Sequence, residues 1–351
     1  MEATINRRDL EEGQAPATIS DAQHLSSYSW IDCPEPTIAV PGIPPKWQPP
    51  KTRRRLPKDS GLRYIAQNAA RHPDSPMEPL FRALCEADPT FDVRGIDVVT
   101  DRNNMRKLLS FIDPTSDRYG MESFIIHAEL AGGKTVILSR VEPQTHEFIG
   151  RNKFKGHGHE FEKAYTTCEI PNSTGHHRII RYCFGGLSYV VRFEVDAYVD
   201  AGDPVDEKPL ADLKYDSRLT VRKQGRIIPS ESTLEIKTRV AHKPMTISDL
   251  ASQLWSSQTP KLVRAYHHNG LFGKEAHVQD VAYEIAGWER AQQPQLKKLA
   301  ALMTKLTDLV KGFGGSCLIR CSSEGAEELV LQKTEDGKPM LPSDLYVKWA
   351  T

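Results

Sequence analysis

Two short segments of the chain alternate apolar and charged residues with a period of two: Phe193-Glu194-Val195-Asp196-Ala197 and Leu234-Glu235-Ile236-Lys237-Thr238. Successive side chains of a strand leave opposite faces. The pattern therefore predicts Glu194 and Asp196 on one face, Glu235 and Lys237 together on another, and Phe193, Val195, Leu234 and Ile236 turned into a core. The first strand is expected to belong to a hairpin, residues 178–184 and 187–197 around the turn Gly185-Gly186. Further strands are predicted at 98–100, 124–130, 135–138 (these last two around Gly132-Gly133), 261–266, 317–319 and 329–331. Helical spacing predicts a helix over 62–70, and a helix or turn is expected through Met105 to Leu109. Ser75-Pro76-Met77-Glu78 reads as a capping box opening a helix through Leu84. Helices are also expected over 159–168 and from a Ser248-Asp249 cap through Gln258. A longer one starts at Leu296, where Leu299, Leu302, Met303, Leu306, Leu309 and Val310 share a face until Gly314-Gly315 ends it.

Between these elements the pattern fails in two places. Residues 1–58 are rich in Pro, Ser and charge, and are expected to form a poorly folded, largely extended arm, with Trp30 and Trp47 able to pin it to the domain surface. Residues 200–230 read as a long variable insertion between the two charged strands. The remainder, 59–351, is expected to be one domain of α/β (α+β) class, with a central mixed sheet flanked by helices.

Composition narrows the class. Of 351 residues, 39% are hydrophobic and 26% charged, the profile of a globular protein able to bury a core. No apolar run approaches the ~20 residues that cross a bilayer, and the first ten residues lack the apolar segment of a secretory signal. No membrane partner is expected. Lys plus Arg equals Asp plus Glu at 46 each, so a polyanion has to be held by a local basic patch. The six cysteines show no paired framework or complete zinc spacing, and read as reduced thiols of an intracellular protein.

The two charged strands bring three carboxylates and one ammonium close together. Like charges so placed are unfavourable unless a cation neutralises them, and hard oxygen donors suit one or two Mg²⁺ or Mn²⁺ ions. The arrangement reads as a metal-dependent phosphodiesterase centre. Alternating charges on a solvated sheet edge would produce the same letters.

The neighbouring motifs carry a more specific resemblance. Gly158-His159-Glu160-Phe161-Glu162, then Glu194-Val195-Asp196, then Glu235-Ile236-Lys237, stand in the order of the conserved motifs of the DXO/Rai-type decapping exoribonucleases. That family lies within the wider nuclease group named for its Pro-Asp and Asp/Glu-x-Lys motifs. Upstream, residues 99–109, containing Arg102, Arg106 and Lys107-Leu108-Leu109, are similar to the family's arginine segment. Downstream, Leu254-Trp255-Ser256-Ser257-Gln258 resembles its Trp-rich helix ending in a glutamine. The likeness spans about residues 75–310. Asp101 and Asn103 depart from the residues flanking the family arginine, and His159 stands at a usually apolar position.

The resemblance implies a nuclease-like fold with an acidic cluster on the sheet. It implies metal ligation by Glu162, Glu194, Asp196, Glu235 and the Ile236 carbonyl. Lys237 would orient water or offset charge on phosphorus, Arg102 would contact the substrate phosphate, and Gln258 would hydrogen-bond near the scissile group. Alternatives stand beside several of these. Glu160 competes with Glu162, Arg106 with Arg102, and Gln258 could only cap its helix. His176-His177-Arg178 could line an RNA path or form a polar turn, whereas Tyr266-His267-His268 lacks a third ligand. The implied activity is hydrolysis at RNA 5′ ends: removal of incomplete or nucleotide-type caps, of pyrophosphate, or of single nucleotides. Two other readings are a noncatalytic partner stabilising a nuclear 5′–3′ exoribonuclease, and a DNA nuclease. Localisation is expected to be nuclear or cytoplasmic, with Lys51-Thr52-Arg53-Arg54-Arg55 either an import signal or a solvated charge run.

Overall fold

A computed structural model describes residues 1–115, 121–151, 153–199, 212–322, 326–334 and 338–350. The chain is of mixed α+β class, built on large mixed sheets flanked by helices, as the hydrophobic pattern implies. Among the described residues there are two such sheets rather than one. The larger has twelve strands, and its middle runs Thr135–Val141, Val98–Asp101, Leu187–Val195, Ser173–Phe184, Ser20–Ile31 and Thr37–Gly42. The second has eight strands and contains Ala197–Tyr198, Thr233–Val240 and Lys261–His268 side by side. A separate two-stranded ribbon pairs Gly61–Tyr64 with His146–Ile149.

The chain crosses from the large sheet to the second one between Val195 and Ala197, at Asp196. The two charged strands are thus not neighbours in one sheet; they meet where two sheets abut. Thr233–Val240 runs parallel to Lys261–His268, so the connection between them must cross over, and the Ala251–Ser257 helix does this. That helix packs with Arg102–Ile112 and Gln293–Phe313 over one face of the large sheet, in a core containing Leu108, Leu254, Trp255 and Leu302. Glu78–Ala87 and Ser343–Ala350 cover the other face around Phe81 and Trp349. The expected turn at Gly132-Gly133 has a packing reason: Gly132 has φ +56°, and a Cβ there would sit 2.3 Å from the Trp349 side chain.

The structure corrects the reading of residues 1–58. Glu2–Asn6, Ser20–Ile31 and Thr37–Gly42 are strands of the large sheet, and Tyr28, Trp30 and Ile38 are fully buried. Proline-rich surroundings mask their alternation in the sequence. The supposed insertion also contributes: Asp212–Lys214 and Thr220–Gly225 extend the same sheet, the latter parallel to Thr37–Gly42, while 200–211 lie outside the described residues.

Several local expectations change with tertiary context. The 62–70 helix is a strand, Gly61–Tyr64, followed by a five-residue helix, Gln67–Arg71. The capping box does not close: Ser75 Oγ donates to the Met340 carbonyl, and buried Glu78 instead binds His72 and Arg82. Asp249 pairs with Arg239 rather than capping the next helix. The six cysteines are free thiols. Among the described residues no helix is long and apolar enough to cross a membrane.

Candidate active site

Four elements bring the predicted acids together. The Gly158–Tyr165 helix supplies Glu162, the end of Leu187–Val195 supplies Glu194, the sheet crossing supplies Asp196, and Thr233–Val240 supplies Glu235 and Lys237. Glu162, Glu194, Asp196 and Lys237 line a cleft of about 820 Å³. Glu235 lies just behind, 2% exposed. Arg102, the first residue of the helix that follows strand Val98–Asp101, donates Nη1 to Glu235 Oε2 at 3.1 Å. Lys237 Nζ and Gln253 Nε2 both donate to Glu235 Oε1. Asp196 Oδ2 accepts from the Ile236 backbone N–H at 2.7 Å, which ties the sheet crossing to the second sheet. Ile236 otherwise buries its side chain in the core of that sheet.

The electrostatics divide the acids into two kinds. Burial, with Asp196 beside it, pushes the Glu162 carboxyl well above its usual range. Burial and the neighbouring Glu235 charge push Asp196 up to about 7. Glu194, though its side chain opens to the cleft, is also raised by the protein packed around it, against the pull of Arg102. Glu235 goes the other way: burial would raise it, but Lys237 and Arg102 hold it well below the carboxylate range. The same pairing outweighs burial at Lys237 and raises its ammonium. Glu235 is therefore an ionised anchor already neutralised by protein, whereas the acids facing the cleft lack enough positive charge.

The helix carrying Glu162 has no cap of its own. Asp59, 3% exposed and about a hundred positions earlier, accepts from Gly158 N and Glu160 N, both at 3.0 Å. It satisfies two of the N–H groups that a helix start leaves open. Nothing in local spacing identifies Asp59, because its partner is tertiary. Glu160, the competitor of Glu162, pairs with Lys163 and does not line the cleft.

Gln258 is not brought to the cluster. It ends its helix at φ +52° and its Nε2 donates to the Trp255 carbonyl at 2.6 Å. The glutamine that reaches Glu235 is Gln253, two residues before Trp255 on the buried side of the helix. A polar residue between apolar Leu250 and Leu254 was the available signal. Arg102 and Arg106 both line the cleft, with Arg102 bonded to Glu235. His176 and His177 lie in the cleft wall, and His177 is cross-strand partner to Glu194 and stacks on Tyr28. His267 is a buried histidine that accepts from Gly270 N.

The donors suit a hard divalent cation, being carboxylate oxygens with raised proton affinity. Glu162 and Glu194 find no hydrogen-bond donor for their carboxylates among the described residues. As placed, no three Asp, Glu, His or Cys side chains among the described residues are drawn around one point at ligand spacing. Glu162 and Glu194 are able to turn inward, and Asp196 keeps Oδ1 beside its bond to Ile236, whereas Glu235 is committed to its three donors.

The family described as Domain of unknown function (DUF8563) matches residues 4–346. No curated protein matches the chain. Among solved structures, Scheffersomyces stipitis Rai1 in complex with (3′-NADP)+ and calcium ion superposes with a TM-score of 0.63 at 12% identity, covering 99% of this chain and 97% of that one. Candida albicans Rai1 in complex with pU5-Mn²⁺ gives a TM-score of 0.61 at 12% identity, covering 100% and 99%. K. lactis Dxo1 in complex with manganese gives a TM-score of 0.58 at 9% identity, covering 95% and 98%. The likeness establishes a shared fold across nearly the whole chain.

Proposed function

Because the chain belongs to the DUF8563 family and has the fold of Rai1 and Dxo1, we propose that it is a divalent-metal-dependent hydrolase acting at the 5′ ends of RNA. The observation that carries this reading is the convergence of Glu162, Glu194 and Asp196 on one cleft, beside a Glu235 fixed by Arg102 and Lys237. The cleft, at about 820 Å³, has the size of a small-ligand site. That volume suits one or two nucleotides of a chain end.

Each residue then has a task. Glu162, Glu194 and Asp196 would hold the cation, Mg²⁺ or Mn²⁺. When bound, the ion would supply positive charge to the phosphate oxygens and lower the pKa of an attacking water. Glu235 fixes Arg102 and Lys237 in place. Lys237 uses one of its three N–H donors on Glu235, which leaves the others for a phosphate oxygen at the cleft side. Arg71, Arg106 and Arg140 also lie in the cleft wall and add positive charge along a phosphate path. Gln253 keeps the second side of Glu235 satisfied, so that this carboxylate does not swing toward the substrate.

The test is incubation of the purified protein with Mn²⁺ or Mg²⁺ and four RNAs: 5′-monophosphate, 5′-triphosphate, unmethylated-cap and NAD-capped. Product from at least one, lost in Glu194→Gln, is the expected result. Inactivity on all four, or cleavage of duplex DNA without need of an end, overturns the proposal.

A further inference from the structure

At the mouth of the cleft stands the two-stranded ribbon, Gly61–Tyr64 paired with His146–Ile149, which the catalytic reading leaves without a task. Its register places Leu62 opposite Phe148 and Tyr64 opposite His146. Alternation along a strand puts these four side chains on one face, and Arg63, Glu147 and Ile149 on the other. The second face is satisfied: Ile149 is buried, Arg63 pairs with Glu147 at 3.0 Å, and its guanidinium covers the Phe154 ring. The first face is not. Phe148 is 79% exposed and Leu62 54% exposed, although both are large apolar residues directly paired.

Leu62, Arg63 and Tyr64 all line the cleft, so the Gly61–Tyr64 strand is part of its wall, and Phe148, paired with Leu62, carries that apolar surface onto the neighbouring strand. Tyr64 has the Arg71 guanidinium 5.2 Å from its ring centre, which fixes the ring at the inner end. Tyr64 and Phe148 are diagonal cross-strand neighbours, about 7–8 Å apart by sheet geometry. That distance is on the order of the step between successive bases of an extended single strand. Immediately after the ribbon come Arg151, Lys153 and Lys155, all exposed. In a chain whose charges otherwise balance, three cations within five residues beside an exposed aromatic form a local anionic-polymer patch.

We infer that this ribbon is a stacking platform for single-stranded RNA, holding bases downstream of the 5′ end on Tyr64, Leu62 and Phe148 while Arg151, Lys153 and Lys155 meet the backbone. The inference rests on the 5′-end reading of the acid cluster for the direction in which the strand runs. Stacking on an aromatic side chain tolerates any base, so the platform confers length dependence rather than sequence choice.

The experiment is fluorescence anisotropy of the full chain with 3′-labelled, 5′-phosphorylated oligouridylates of two and ten nucleotides, in EDTA so that nothing is cleaved. The wild type is expected to bind the decamer more tightly than the dinucleotide. Phe148→Ala should weaken decamer binding about tenfold and change dinucleotide binding less than twofold. Phe148→Trp should retain it, and the double substitution Arg151→Glu, Lys153→Glu should weaken it and flatten its salt dependence. Decamer binding unchanged in Phe148→Ala, or equal wild-type affinity for both lengths, overturns the platform. A parallel Mn²⁺ reaction separates the two ideas. A wild type that binds with length dependence but processes no RNA condemns the catalytic reading alone. One that processes RNA yet ignores Phe148→Ala condemns the platform alone.

Discussion

Replacing Asp196 by Asn should stabilise the protein, and the gain should depend on pH. In the fold Asp196 ionises near pH 7, against an ordinary 3.8, because burial and Glu235 oppose its charge. Between these values the folded state holds a proton that the unfolded chain has lost. Stability of the wild type therefore falls as pH rises through this window and levels off above it. At about 1.36 kcal/mol per pH unit for one group, with the slope halved by the time pH 7 is reached, the loss from pH 5 to pH 7 is about 2 kcal/mol. Asp196→Asn removes that loss while keeping an oxygen to accept the Ile236 N–H. With an unfolding entropy of roughly 2.1 cal/mol/K per residue, the advantage of the variant should grow by about 3 °C in Tm between pH 5 and pH 7. Thermal unfolding in EDTA, followed by circular dichroism, reads this directly. Manganese should raise the wild-type Tm at pH 7 more than that of the variant, since binding to the folded state alone adds stability. Identical pH slopes for the two proteins would refute the crowding of Asp196 by its neighbours.

Asp59→Ala should cost about 1 kcal/mol through loss of a helix cap and also weaken the response of Tm to Mn²⁺, because Glu162 rides on that helix; Asp59→Asn, which keeps only one of the two accepting oxygens, should restore each only in part. Gln253→Ala should lower turnover and leave Gln258→Ala close to the wild type in activity, as measured on a 5′-monophosphate RNA; the reverse order would reinstate Gln258. Trp30→Ala should destabilise the fold by about 3–5 kcal/mol in chemical denaturation, the range for emptying a large aromatic site, whereas a loosely attached arm would show almost no change. Arg102→Lys should reduce turnover more than it reduces Tm, since an ammonium still neutralises Glu235 but cannot present the planar fork.

The alternation in 193–197 and 234–238 was legible because it is local. Glu194, Asp196 and Lys237 reach the cleft as the period of two requires, and Glu235 sits with Lys237. The hairpin around Gly185-Gly186 and the helix ending at Gly314 were legible for the same reason. What escaped depended on partners distant in sequence. Trp30 and Tyr28 form a strand only because Ser173–Phe184 and Thr37–Gly42 flank them, and the prolines nearby suggested the opposite. Asp59 caps a helix about a hundred residues away, and Glu78 turns to His72 and Arg82 instead of to Ser75. Gln253 lies inside a short buried helix and Gln258 is the left-handed residue that ends it, a distinction that spacing alone does not carry.

The most direct measurement uses 5′-labelled RNA, the purified chain and Mn²⁺, with the released product identified by mass spectrometry for the wild type and for Glu194→Gln. A terminal cap, pyrophosphate or nucleotide freed by the wild type and missing from the variant is the predicted result. Equal product from both proteins, or an untouched 5′ end with the wild type on every substrate offered, would contradict a hydrolytic centre built on these carboxylates.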